Sequence, residues 1–171
     1  ITDEWNNIIS FGGRVIDNST PKYINGADSP IYNKRCHLYG LGKALENSDT
    51  RKLDNIIVCE GYMDVISMHQ NGFTNCVASL GTALTMQQCH LLKDYTDVVY
   101  TAYDSDAAGV EASKKAGAIL ISAGLIVRRI DLSPYKDPDE FIKAKGRKAL
   151  IERINKAKLI RGCKKTPLKE K

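Results

Sequence analysis

Six acids stand where carboxylates can act together: Glu60, Asp64, Asp104, Asp106, Asp137 and Asp139. Glu60 immediately follows the apolar run 56–59. Asp104 follows a second run, 98–103, with Asp106 two residues on, and Asp137 and Asp139 come shortly after a third, 125–132. Short apolar runs rich in β-branched residues read as buried strands. A charge at the end of a buried strand is costly without a partner. If the strands are parallel, their carboxyl ends share one edge, where ligands bind in open α/β sheets. Glu60, Asp104, Asp106, Asp137 and Asp139 then converge from three loops. Like charges held close raise one another's pKa unless a cation lies among them. An all-oxygen donor set suits a hard cation that keeps some waters, Mg²⁺ or Mn²⁺. Such ions position phosphates for in-line displacement.

Each acid also has a plainer role open to it. Asp106 can serve as a helix N-cap, and Asp64 as a first-turn acid favoured by the helix dipole. Asp137 and Asp139 flank Pro138, in a pattern that also marks a turn or a helix start. Glu60 and Asp104 are harder to explain that way, and their joint placement carries the argument.

The elements that must position these residues alternate from residue 55 onward. Strands are expected at 56–59, 75–78, 98–103 and 125–132. Helices are expected over 64–70, ended by Gly72, and from a capping box at Thr85 and Gln88 to Asp94. A long helix runs from an Asp106 cap to a stop at Gly124, with Ala108, Ala112, Ala116, Ile119, Leu120 and Ala123 as its apolar positions. Pro138 opens another helix, and a last basic helix follows. Strand–helix alternation predicts an α/β fold with a parallel sheet flanked by helices. Residues 1–45 read differently. Ile8, Ile9, Phe11, Val15 and Ile16 flank Gly12-Gly13, which suggests two short strands with a bend between them. An irregular polar stretch over 18–35 and a short helix over 37–45 come next. This part looks like the end of an α+β unit.

Charge is divided along the chain. Residues 143–171 hold 12 Lys+Arg and 2 Asp+Glu, whereas residues 1–142 hold 13 and 18. A basic end invites nucleic acid, or is simply a solvated helix face and linker. The five cysteines are odd in number and contain no C-x-x-C pair. Cys36-His37 and Cys89-His90 lack zinc spacing, so no zinc site is expected. Idle thiols suit a reducing cytoplasm. No apolar run is long enough for a membrane span. The chain begins at Ile1 rather than Met, the expectation being a fragment or a processed chain.

Four ordered motifs carry a family resemblance: Glu60-Gly61-Tyr62-Met63-Asp64; Ala78-Ser79-Leu80-Gly81-Thr82; Tyr103-Asp104-Ser105-Asp106-x-Ala108-Gly109; and Lys136-Asp137-Pro138-Asp139-Glu140. Together they closely resemble the Toprim domain of bacterial DnaG-type primases. Upstream, Phe11-Gly12-Gly13-Arg14-Val15, Thr20-Pro21-Lys22-Tyr23-Ile24-Asn25 and Leu38-Tyr39-Gly40-Leu41 resemble the end of the subdomain that precedes Toprim in these primases. The resemblance covers roughly residues 8–150. It implies three parts: residues 1–50 as the end of the N-terminal catalytic subdomain, 51–145 as the Toprim domain, and 146–171 as a basic helical segment and tail.

By this resemblance the chain is part of an enzyme, a DNA-directed RNA polymerase that makes short RNA primers from ribonucleoside triphosphates on single-stranded DNA during replication. Glu60, Asp104 and Asp106 match its catalytic, metal-binding acids. Asp64, Asp137 and Asp139 match further acids of the metal site. Arg14, Lys22, Tyr23, Asn25 and Lys34 match residues that meet substrate or nucleic acid. The implied cofactor is Mg²⁺ or Mn²⁺, with one ion acidifying the 3′-hydroxyl and another neutralising pyrophosphate; Glu60 is a ligand or instead a general base. The implied partners are template, triphosphates, an RNA–DNA hybrid, and the replicative helicase through a domain absent here. A cytoplasmic monomer is expected, able to fold and bind metal without priming alone. The rival readings are another Toprim enzyme, such as a topoisomerase or nuclease, and a receiver-like signalling module. The first would not be expected to carry F-G-G-R or T-P-K-Y upstream. The second wants an acidic pair after its first strand, where this chain has Glu60-Gly61.

Overall fold

The computed structural model describes residues 1–17, 20, 23–46 and 48–160. The N-terminal part contains β1 (Gly12–Arg14) and β2 (Tyr23–Asn25), an antiparallel pair in which Gly13 faces Ile24. The expectation of strands on either side of Gly12-Gly13 is therefore corrected. The glycines lie inside the strand, and the neighbouring apolar residues Phe11 and Ile16 are exposed. Tyr23–Asn25, read as irregular, is its partner. The short helix α1 (Leu41–Leu45) starts later than expected, because Gly40 takes φ +84° at its N-cap. A side chain there would also come within 2.9 Å of Val65 Cγ1 and 3.0 Å of the Cys76 carbonyl oxygen.

The remaining described elements alternate: β3 (Ile56–Cys59), α2 (Tyr62–Gln70), β4 (Cys76–Ala78), α3 (Met86–Lys93), β5 (Val98–Ala102), α4 (Ala107–Ser122), β6 (Ile126–Arg129), α5 (Pro138–Asn155) and β7 (Lys158–Leu159). Five of the strands form one sheet in the order β4-β3-β5-β6-β7; the first four are parallel and β7 is antiparallel. The expected α/β architecture is thus present. The basic segment differs in one respect: it folds back as the edge strand β7, pairing Lys158 with Arg129, where helix and tail were expected. Within α5, Gly146 adopts φ 78° and ψ 172°, so two helical stretches meet at a kink.

The sheet is covered on both faces, which is why the inner strand β3 is buried at every position. Ile56 and Val58 point into a core shared with Leu41, Leu45, Leu92, Ala116 and Leu120 from α1, α3 and α4. Ile57 and Cys59 point the other way, into a core with Val65, Met68, Phe141 and Leu150 from α2 and α5. The N-terminal part docks on the β4 edge: Tyr39 N–H donates to Ala78 O at 2.9 Å and Ala78 N–H donates to Tyr39 O at 3.1 Å. This pairing covers backbone groups that an open sheet edge would leave exposed.

Candidate metal centre

The acids are positioned by the ends of parallel strands and the starts of the helices that follow. The register sets Cys59 beside Ala102, so Glu60 and Asp104 leave the sheet at the same edge. Asp64 lies in the first turn of α2, where its Oδ2 accepts from Gly61 N–H at 3.1 Å. Asp106 caps α4, accepting from Gly109 N–H at 2.8 Å, and Asp137 caps α5, accepting from Glu140 N–H at 2.8 Å. The structural roles weighed for these two residues are therefore real, and they coexist with a place in the acidic cluster. Gly109 makes the approach possible, since a Cβ there would stand 2.4 Å from Asp104 O and 2.6 Å from Asp104 Cβ.

Electrostatics show which acids meet. Partial burial raises the Glu60 carboxyl above its ordinary value, and Asp104 and Asp106 add to the rise. Asp64 is pushed up to about 7, mainly by burial and then by Asp137, Asp104 and Glu60. Asp104 is raised by burial, against the opposing pull of Lys136, with Asp137 and Asp106 contributing. Glu60, Asp64, Asp104, Asp106 and Asp137 thus feel one another. Asp139, expected among them, is set apart: a 2.6 Å ion pair with Lys143 holds its carboxyl below the ordinary value.

Sequence reasoning passed over Lys136. Its Nζ lies 3.4 Å from Asp104 Oδ2, and its backbone carbonyl accepts from Ser105 N–H at 2.7 Å. The available signal was a lysine directly before the D-P-D motif. Among the described residues, no three His, Cys, Asp or Glu side chains close on a single point as a metal cage. The donor chemistry nevertheless fits a hard divalent cation. The acids offer only oxygen, and their mutual repulsion leaves more negative charge than Lys136 offsets.

Beside Glu60 opens a cleft of about 660 Å³ between the 79–84 loop and α4, with Tyr103, Ala108 and Ala112 on its wall. The buried Thr82 Oγ1 at this cleft has no hydrogen-bond partner among the described residues.

The upstream residues fall into three groups. Arg14 is exposed on β1, 5.5 Å from the Tyr23 ring centroid, and Tyr23 meets Tyr62 edge-on at 6.0 Å. Asn25 has a structural role as well. It accepts from Tyr62 Oη and donates to Leu80 O at 3.0 Å, pinning the 79–82 loop to α2. Lys34 is anchored through its backbone, which accepts from the buried Gln88 side chain at 3.1 Å. Lys22 lies outside the described residues.

Comparison with known proteins agrees with this geometry. A family described as Toprim-like matches residues 57–142, and a DNA primase catalytic core N-terminal domain matches residues 1–45. The DNA primase of Clostridium acetobutylicum is 45% identical over 157 residues, which is 92% of this chain and 26% of that protein. The crystal structure of the Aquifex aeolicus primase (zinc-binding and RNA polymerase domains) superposes with a TM-score of 0.87 at 42% identity, covering 94% of this chain and 40% of that one. A DnaG primase catalytic domain bound to single-stranded DNA superposes at 0.84 with 36% identity, over 93% of this chain and 50% of that one. The chain thus spans about a quarter of the length of the curated relative it matches. The upstream match speaks against another Toprim enzyme, as the motifs before residue 45 led us to expect.

Proposed function

This chain belongs to the Toprim-like family in the form of a bacterial DNA primase catalytic core, and from that premise we propose that it contributes the centre that joins ribonucleoside triphosphates into short RNA primers on single-stranded DNA. The observation that carries the reading is the convergence of Glu60, Asp64, Asp104, Asp106 and Asp137 at one sheet edge, where burial and the neighbouring acids drive the carboxyls of Glu60, Asp64 and Asp104 upward.

Glu60, Asp104 and Asp106 would hold Mg²⁺ or Mn²⁺, with Asp64 and Asp137 adding negative charge around them. When bound, such an ion supplies neutralisation of phosphate charge and acidification of an attacking hydroxyl. The chain's own groups do the rest. The cleft beside Glu60 falls in the size range of small-molecule sites and receives the nucleotide. The raised carboxyl of Glu60 is suited to take the proton from the primer 3′-oxygen where it does not serve as a ligand. Lys136 offsets charge at Asp104 and stands where a triphosphate oxygen would approach. Arg14, Lys22 and Lys34 offer cations from the upstream part, while Asn25 and Tyr62 hold the 79–82 loop against the cleft.

The template is single-stranded DNA, consistent with the relative whose structure contains it. The product is an RNA–DNA hybrid. A replicative helicase engages through a segment outside this chain, and the setting is the bacterial cytoplasm. No helix among the described residues is long and apolar enough to cross a membrane. The test is template-directed ribonucleotide incorporation by a protein of the relatives' full length that contains this chain. Glu60→Ala should lower the rate by about a hundredfold or more, as expected when a metal-holding or general-base carboxylate is lost. Unchanged incorporation overturns the reading.

A further inference from the structure

The basic excess of the chain's end does not lie spread along a helix face. Lys145, Arg153, Lys156 and Lys158 line a groove of about 550 Å³, while Lys143 pairs with Asp139 and Arg147 lies over the Phe73 ring. Arg129 comes from the end of β6, Lys145 and Arg153 from α5, Lys156 from the turn after α5, and Lys158 from the start of β7. Asp131 and Glu152 are the acids on the lining, so cations outnumber them. Two of the cations are committed. Arg153 donates to Ser133 O at 3.1 Å and lies 5.6 Å from the Phe141 ring centroid, and Arg153 and Arg129 both act on the Asp131 carboxylate. Lys145, Lys156 and Lys158 are exposed and form no salt bridge among the described residues. Folding brings these like charges together from separate elements in excess of the two acids on the lining, an arrangement that favours an anionic ligand.

The position of the groove identifies the anion. In strand order β6 lies next to β5 and β7 lies beyond β6, and the parallel register places the end of β6 at the edge where Asp104 leaves β5. Adjacent strands are roughly 5 Å apart. The helix α5 begins at Asp137 in the acidic cluster and carries Lys145 on the groove wall. Acidic centre and basic groove are therefore consecutive stations along one sheet edge. The loop between them supplies Tyr135, half-buried on the groove wall and packed edge-on against Phe141 at 5.3 Å. The primary structure places no aromatic residue after Phe141, so a stacking surface for the basic segment is absent from the sequence order and is supplied only by the fold.

We propose that this groove binds the phosphodiester backbone of single-stranded DNA as it passes the acidic centre, with Lys145, Lys156 and Lys158 on phosphates and Tyr135 against a base. The identity of the strand rests on the primase reading; the anion chemistry of the groove does not.

The test is fluorescence anisotropy of a labelled oligodeoxythymidylate with the 171-residue chain, at salt concentrations between about 50 and 200 mM. The groove variant is K145Q/K156Q/K158Q. The control, K43Q/K93Q/K114Q, makes the same change in net charge at lysines paired with Glu46, Asp97 and Glu111. Each phosphate contact on a single strand contributes about 0.7 to the slope of log K against log salt. The groove variant should lose about 2 from that slope and weaken binding by tenfold or more, while the control changes little. K145R/K156R/K158R should restore both, which excludes a folding defect. Y135L should weaken binding by about tenfold and leave the slope unchanged. Equal slopes for groove variant and control overturn the proposal. So does a groove variant that loses nucleoside triphosphate binding but keeps the oligonucleotide, and so does a wild-type chain that binds no oligonucleotide. Mn²⁺ titration of the same variants reports on the acidic centre alone, so failure of the metal reading and failure of the groove are told apart.

Discussion

At the scale of single residues, the acidic edge is a place where charge is held against its own preference. Asp64 shows this best. With a folded pKa of about 7 against an ordinary 3.8, the folded chain keeps a proton that the unfolded chain gives up between those values. Stability should therefore fall as pH rises from about 4 to about 7, by an amount on the order of a few kcal/mol. Thermal melts in chelator should show this decline, and Asp64→Asn should flatten it. A decline of equal size in the variant assigns the effect elsewhere. Asp104 is the companion case. Its ion pair with Lys136 is the one salt bridge among the described residues made by Glu60, Asp64, Asp104, Asp106 or Asp137. Asp104→Ala should reduce Mn²⁺ affinity by at least tenfold in a direct titration; equal binding by variant and wild type removes Asp104 from the site.

At the scale of elements, helix starts set the geometry. Thr85 and Gln88 form the capping box read from their spacing, with Gln88 N–H donating to Thr85 Oγ1 at 3.2 Å. Gln88 does more than its motif promised, because its amide also donates to Lys34 O and His37 O and ties the upstream part to α3. Gly109 shows how an element start and a site depend on one another. The first turn of α4 lies against the backbone of Asp104 so closely that a methyl group has no room. Gly109→Ala should cost about 1–3 kcal/mol through overpacking and lower the melting temperature by several degrees. It should also weaken Mn²⁺ binding, since either the helix or Asp104 must shift. A stable variant with unchanged metal affinity would show that the contact relaxes without moving the carboxylate.

At the scale of the whole molecule, the acidic centre and the basic end are two parts of one electrostatic design. On the proposed reading a divalent cation would bind the folded edge and have no equivalent site in the unfolded chain. Mg²⁺ at a hundred times its dissociation constant should therefore stabilise the protein by about 2.7 kcal/mol, raising the melting temperature by several degrees. The rise should vanish in Asp104→Ala. A rise of the same size in that variant would trace it to general screening. The charge division also limits how the basic end can be tested by truncation. Cutting after Leu150 would remove β7 and its pairing with Arg128 and Arg129 along with the charges. A cut after Ile160 leaves the sheet whole and, of the charged residues, removes Arg161, Lys164, Lys165, Lys169, Glu170 and Lys171.

Much was legible without coordinates because strand ends and helix caps are local. The runs at Ile56–Cys59 and Val98–Ala102, the Asp106 and Asp137 caps and the Thr85 box are each written within a few consecutive residues. A parallel sheet then places Glu60 and Asp104 together whatever the packing details. What could not be read depends on partners far apart in the chain. The bond from the Asn25 amide to Leu80 could not be read from the motif, and Tyr23–Asn25 reads as irregular until Gly12–Arg14 lies beside it. Asp139 reads as a sixth member of the cluster, but the turn of α5 aims it at Lys143. Lys158 reads as a tail charge, yet it pairs with Arg129 and closes a groove. The sequence by itself determined which residue types stand at strand ends and helix starts. Only the tertiary structure decided which of them share a surface, because a side chain's direction and its distant neighbours are set by packing and register rather than by spacing along the chain.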